Sequence, residues 1–329
     1  MHAGELTIDA RRLWPGEVPW DGPLAFIDLD AAGDFPVEVA LPPCPVVGLG
    51  DPSHPFAACL DAVIEPPVGA EGLARQVLAM PRAAAVVVQL LRVLPALSPQ
   101  EGLTVESLAY AVLQGSAEHA GWLAGRRGQA DRRERSAGQV SAIRSDDRLS
   151  IMLNHPESGN AIDQHMRDQL FEAFALAALD PDIRHISLRG AGRTFSLGAE
   201  LEEFGTTTDP ATAHAIRSLT LPAREVSRCA DRLEVHVRGG CVGSGLELAA
   251  WASRFTASPD AWFHLPELAM GILPGAGGCV SLTRRIGRQR TALMILSGKR
   301  ITARTALGWG LVDAIVDEPP GDEAGADIA

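Results

Sequence analysis

Residues 239–278 read GGCVGSGLELAAWASRFTASPDAWFHLPELAMGILPGAGG, and the reading of this stretch decides the fold. A glycine-rich turn runs into a short apolar helix carrying Glu247 in its first turn. A second acid, Glu267, follows Pro266, and a second glycine cluster closes the stretch with Gly275, Gly277 and Gly278. Backbone N–H groups at a helix start have the positive end of the helix dipole behind them. Two carboxylates framed by two such turns suit proton transfer beside a polarised carbonyl. Two commoner glycine motifs are excluded: the order here is G-x-x-G-x-G, not the dinucleotide fingerprint, and Ser244 lacks the flanking glycines of a nucleophile elbow. Ser244 reads instead as a helix N-cap. Glu247 therefore has two readings at this point, a proton-transfer group or the far half of a Ser244-x-x-Glu247 capping box.

Upstream of this stretch, apolar strands and amphipathic helices alternate. Residues 149–153 and 183–188 read as strands, and 160–179 as a helix with Ile162, Met166, Leu170, Phe174 and Ala177 on one face. A turn, GAGRTFSLGAE, follows at 190–200, then a loop and helix to about Cys229 and a strand at 233–237. Downstream, helices are expected near 277–285, 288–296 and 302–307, with a last strand at 312–316. Such alternation implies an α/β fold with crossover connections.

Residues 1 to about 70 are rich in Pro and Gly, with short strand-like runs at 24–29, 37–41, 46–49 and 62–64 and a helix near 54–60. From 71 to 123 the periodicity turns helical, and Pro81 and Pro95 should split it into three helices. The organisation expected is an N-terminal α+β domain over 1–125, a solvated basic linker at 126–141, a catalytic core over 142–317 and a flexible acidic tail at 318–329.

The 329 residues carry a net charge of −12, which argues against a nucleic-acid partner, because phosphate affinity needs a basic face. No apolar signal core or uninterrupted apolar run is present, so no membrane partner is expected and a cytoplasmic location is. Five cysteines without CxxC or Cys/His spacing predict neither a disulfide framework nor a metal site.

Four pieces in fixed order resemble the enoyl-CoA hydratase/isomerase (crotonase) superfamily: LNHPESGNAID at 153–163, GAGRTFSLGAEL at 190–201, GGCVGSGLELA at 239–249 and LPELAMGILPGAGG at 265–278. The likeness continues through 282–316 and covers about 142–317. It implies a crotonase-like ββα spiral core and an acyl-CoA-acting lyase that hydrates a 2-enoyl-CoA. Carried over by position, Ala199 and Ser244 donate the oxyanion-hole N–H groups, and Glu247 and Glu267 are the paired catalytic acids. Leu197, Gly198, Gly243 and Gly275 fall in the substrate-binding turns, and residues 201–230 against the acyl chain. No cofactor is implied beyond the coenzyme A thioester itself, and a homo-oligomer, trimer or hexamer, is the expected assembly.

Many superfamily members lack one or both acids, so their joint presence favours hydration. Isomerisation is the nearest alternative, followed by C–C hydrolysis, decarboxylation or metal-free oxygenation. From another class, a non-catalytic crotonase-like scaffold or auxiliary subunit stays open. Ser244 stands where the family commonly has Gly, which bears on pocket shape more than on a backbone donor. Arg193, Arg284 and Arg285, near the motifs, are the arginines expected beside the coenzyme A phosphates. Family members usually continue past the position of Val316 as helices that cover the acyl pocket. Residues 61–123 weakly resemble that portion, and a degenerate crotonase-like remnant within 1–125 is expected to supply the cover.

Overall fold

A computed structural model describes residues 3–18, 20–33, 38–126 and 136–317. In chain order the elements are β1 Ala25–Asp28, β2 Val46–Leu49, β3 Ala62–Val63, α1 Ala70–Ala79, α2 Pro81–Val93, α3 Pro99–Gln114, α4 Ala117–Arg126, β4 Val140–Ser145, β5 Arg148–Leu153, α5 Gln164–Leu179 and β6 His185–Gly190. There follow α6 Pro210–Thr220, α7 Pro222–Cys229, β7 Leu233–Val237, β8 Gly240–Val242, α8 Ser244–Ala249, β9 Arg254–Ala257, β10 Trp262–His264, α9 Gly278–Ser297, β11 Ile301–Thr302, α10 Ala303–Trp309 and β12 Ala314–Ile315.

The main sheet has the order β12-β9-β7-β6-β5-β4, parallel except for the antiparallel β4–β5 pair. Strand β5 alternates, burying Leu149, Ile151 and Leu153 and exposing the residues between, as a period of two requires of a half-buried strand. A second sheet, β11-β10-β8, stands beside it and carries the glycine-rich turn at its end. Helix α5 begins at Gln164 because the Asp163 carboxylate accepts the Met166 N–H at 2.8 Å. Its buried face is Met166, Leu170, Ala173, Phe174 and Ala177. The two helices expected at 277–285 and 288–296 are both present as the two halves of α9, separated by the non-helical backbone of Gly287 at φ 78°. The single helix expected, after a loop, to about Cys229 is two, α6 and α7, because Pro222 opens α7.

The three N-terminal strands form their own parallel sheet, and all four helices follow it. Residues 38–41 form no strand: the Ala40 N–H is taken at 2.8 Å by the Leu13 carbonyl rather than by a sheet neighbour, and Val37 lies outside the described residues. Pro81 opens α2 as expected, but the helical stretch is divided once more, at Gly115 and Ser116, giving four helices instead of three. Of the expected linker, 127–135 lies outside the described residues, α4 runs to Arg126 and β4 already begins at Val140. The expected acidic tail, 318–329, also lies outside them.

One apolar cluster runs from Leu6, Phe26 and Val47 through α1–α3 to Phe255, Leu293 and Val312, so the N-terminal helices and the main sheet share a core. The opposite face of the small sheet, with Ala25, Ile27 and Val46, has a second cluster of its own. Buried Asp61, after β2, ties the two parts together by accepting from Arg92 of α2 at 2.7 Å and facing Arg288 of α9 at 3.8 Å. Among the described residues, no single helix is long and apolar enough to cross a membrane.

Candidate active site

The turn at 190–200 is held by Asn160, which is fully buried. Its Nδ2 donates to the carbonyls of Ala191, Thr194 and Phe195 at 2.8, 3.0 and 3.1 Å, and its Oδ1 accepts the His155 N–H at 2.8 Å. Reciprocal bonds, Ser196 N to Gly240 O at 3.1 Å and Val242 N to Ser196 O at 2.9 Å, lock this turn to β8. Gly198 therefore faces Gly243: a Cβ on Gly198 would stand 3.3 Å from the Val242 carbonyl oxygen, and one on Gly243 would stand 3.7 Å from the Gly198 Cα. Both have positive φ, 101° and 46°, a backbone that glycine adopts without steric cost.

Beside these two glycines lie Ala199 and Ser244. Ile162 spends its N–H on Gly198 O and its carbonyl on Glu200 N, passing over the Ala199 N–H between them. Ser244 is the first residue of α8, where an N–H has no partner within the helix. Among the described residues neither N–H has a protein acceptor.

The capping-box reading of Glu247 and the N-cap reading of Ser244 do not hold. Gly243 is the N-cap residue, and the Ser244 Oγ is buried with no hydrogen-bond partner among the described residues. Glu247 points instead at the start of another helix, α9. Its Oε2 accepts the N–H groups of Ala276 and Gly278 at 2.6 and 2.9 Å. Gly278 has no room for a side chain there, because a Cβ would fall 2.4 Å from the Glu247 Cγ. Burial raises the Glu247 carboxyl to about 7, with the two backbone bonds pulling the other way.

Glu267, at the start of the short 3-10 turn Glu267–Met270, is also buried, and its Oε2 has no hydrogen-bond partner among the described residues. Burial first, and then the charge of Glu247, hold its carboxyl well above the usual range. Two carboxylates near each other do not ionise together. Glu247, with two N–H donors, is the one that gives up its proton first.

A cavity of about 810 Å³ joins these groups, with Ala199, Ser244, Glu247, Glu267 and Gly275 in its wall. Leu197, Gly198 and Gly243 do not line it. Leu197 packs over Gly159 and Gly240 and stays 44% exposed, while the two glycines shape the turns from behind. Residues of the 201–230 segment, including Phe204, Ala213, Ile216 and Leu221, form the far wall. Arg193, Arg284 and Arg285 are outside it, and Arg285 is engaged by Ala252 O at 2.7 Å and Asp313 at 2.8 Å.

The N-terminal helices close the cavity with residues that the motifs do not reveal. Tyr110 and Gln114 of α3 and His119 of α4 line it. Behind the wall, Glu106 of α3 is fully buried and accepts the Gly277 N–H at 2.7 Å and the Val280 N–H at 3.2 Å. It shares the start of α9 with Glu247. Burial and the charge of Glu247 hold its carboxyl well above the usual range.

Known proteins bear on this arrangement. The family model for enoyl-CoA hydratase/isomerase matches residues 147–320. The chain is 33% identical over 178 residues to the mevalonyl-coenzyme A hydratase SIDH of Beauveria bassiana, covering 52% of this chain and 64% of that protein. It is 36% identical over 167 residues to the 2,3-dehydroadipyl-CoA hydratase of Escherichia coli, covering 51% and 65%. A crystal structure of an enoyl-CoA hydratase/carnithine racemase from Magnetospirillum magneticum superposes with a TM-score of 0.50 at 28% identity, over 56% of this chain and 70% of that one. The chain thus belongs to the enoyl-CoA hydratase/isomerase family, and its core has the crotonase fold. It spans just under two thirds of the length of the two hydratases.

Proposed function

We propose that the chain is an enzyme that adds water across the double bond of a 2-enoyl-CoA thioester. One observation carries the reading: two buried carboxyls with unlike hydrogen bonding share a cavity with two backbone N–H groups that no acceptor among the described residues takes. The thioester carbonyl oxygen accepts from Ala199 and Ser244, which stabilise the enolate-like charge as it develops. Glu247, ionised near neutral pH, takes a proton from a water whose oxygen bonds to the β-carbon. Glu267 delivers its proton to the α-carbon, so the elements of one water are added. Afterwards Glu247 holds a proton and Glu267 lacks one, and exchange with solvent resets the pair. The names of the relatives, both hydratases of acyl-CoA thioesters, support this class of substrate.

The reading asks for no cofactor beyond the thioester, and it includes assembly as a homo-oligomer, which sedimentation of the full chain reads directly. The chemical test is crotonyl-CoA turnover followed by loss of enoyl-thioester absorbance. Glu247→Gln and Glu267→Gln should each lower kcat by about a hundredfold to ten-thousandfold while the protein stays folded. Wild-type rates in both folded variants would exclude the two-acid mechanism, and no turnover by the wild type would return the chain to isomerase or scaffold readings.

A further inference from the structure

Arg217 of α6 lines the same cavity, and its hydrogen-bond partners are neutral. Its Nε donates to the Ser107 Oγ at 3.0 Å, its Nη2 to the Ser107 carbonyl at 3.3 Å and its Nη1 to the Gln114 Oε1 at 3.4 Å. The guanidinium lies 4.4 Å over the centroid of the Tyr110 ring. Among the described residues no carboxylate stands within ion-pair distance of it. A guanidinium has five N–H donors. The three contacts just given leave one on each terminal nitrogen, the pair that grips a carboxylate side by side.

The rest of the wall shows by contrast how unusual this is. Arg167, the other arginine lining the cavity among the described residues, is satisfied by Asp168 through Nε at 2.9 Å and Nη2 at 2.7 Å. The lining acids near it are engaged too: Asp163 accepts from Gly138 and Met166, and Glu203 from Gln164. Glu106, the acid whose charge Arg217 senses, has both oxygens taken by the Gly277 and Val280 N–H groups and makes no ion pair with the guanidinium. Burial opposes the charge of Arg217, yet a guanidinium does not give up its proton in a protein. A half-buried cation without a counter-ion is expensive unless something anionic arrives.

We infer that Arg217 is an anchor for an anion and that the acyl group bound in this cavity ends in a carboxylate. The inference rests on the cavity being an acyl-CoA site. Tyr110 fixes the direction: its Cδ2–Cε2 edge packs on Gly275, in the same turn whose Ala276 N–H binds Glu247, and its face carries Arg217. The guanidinium is therefore about one aromatic ring removed from the turn that holds the reacting groups, within reach of the end of a short acyl chain.

The test is calorimetric titration of the full chain with unreactive saturated thioesters, butyryl-CoA against succinyl-CoA and hexanoyl-CoA against adipyl-CoA. Within a pair the coenzyme A phosphates are identical, so a preference reads the acyl terminus alone. The carboxylate-ended member of at least one pair should bind about tenfold to a hundredfold more tightly. Arg217→Gln should bring that pair to equal affinity, and Arg217→Lys, which keeps the charge but loses the fork, should retain part of the preference. Melting curves establish that both variants fold, and the wild-type preference decides the matter even where one does not. Equal affinities in the wild type, or a preference that survives Arg217→Gln, would overturn the anchor while leaving the thioester site standing. No binding of any of the four thioesters would overturn the proposed function and the anchor with it.

Discussion

The Glu267 carboxylate occupies the space that a side chain on Gly243 would need: a Cβ there would lie 2.7 Å from its Oε1. The relationship is crossed, because Glu247, four residues after Gly243, makes the same demand of Gly278. Each glycine turn is thus shaped to receive the acid that belongs to the other. Gly243→Ala adds a methyl group at φ 46° and ψ −126°, a backbone that glycine alone takes readily and that costs other residues about 1–3 kcal/mol, and pushes on Glu267 at the same time. We expect a modest drop in melting temperature but a loss of at least about tenfold in kcat, since small displacements of a catalytic group are costly. Kinetics that match the wild type would show that the position of Glu267 does not matter to turnover.

The buried acids make stability depend on pH in an unusual direction. An ordinary paired carboxylate has a depressed pKa and loses stability as pH falls. Glu247 is the reverse, raised from 4.5 to about 7, so between these values the folded state holds more protons than the unfolded chain. Its contribution is complete below pH 4.5 and is lost as pH rises to about 7. Glu267 and Glu106 are raised as well and act in the same sense. Glu247→Gln removes one titrating group, so the melting temperature of this variant relative to wild type should climb from pH 5 to pH 7.5. A constant difference across that range would mean that Glu247 is already ionised in the folded protein at pH 5.

The core was legible because its motifs are local and each carries its own reason. Asn160 sits in LNHPESGNAID, where a buried amide must bond to the turn it holds, and Gly198 and Gly243 mark the turns themselves. What escaped the sequence is tertiary. Glu101 and Glu106 stand five residues apart in the same helix and look alike. Glu101 completes a capping box with Ser98 at the surface, while Glu106 is buried beneath the start of α9. Nothing in PQEGLTVESLAYAVLQ separates them, because the partner of Glu106 lies 171 residues away. Ser244-x-x-Glu247 erred the other way, offering a capping box in sequence where the backbone places Gly243 at the cap and turns Glu247 towards α9. Arg217 and Tyr110 likewise acquire meaning only once α3 and α6 are packed together.

Glu106 also supplies a test of how the N-terminal helices are joined to the site. Its two oxygens accept the Gly277 and Val280 N–H groups at the start of α9, where the helix dipole favours negative charge and hydrogen-bond acceptors alike. Glu106→Ala leaves two buried donors without partners, at a cost of about 1–3 kcal/mol each. Glu106→Gln keeps an acceptor oxygen and should recover at least half of that loss. Because burial favours the protonated acid, removing the charge by itself costs little near neutral pH. Thermal denaturation at pH 7 should therefore rank wild type and Glu106→Gln close together and Glu106→Ala well below, by about 5–15 °C for a chain of this size. If alanine and glutamine are equally harmful, the stabilising element is the negative charge; if both are harmless, α9 is capped without help from α3.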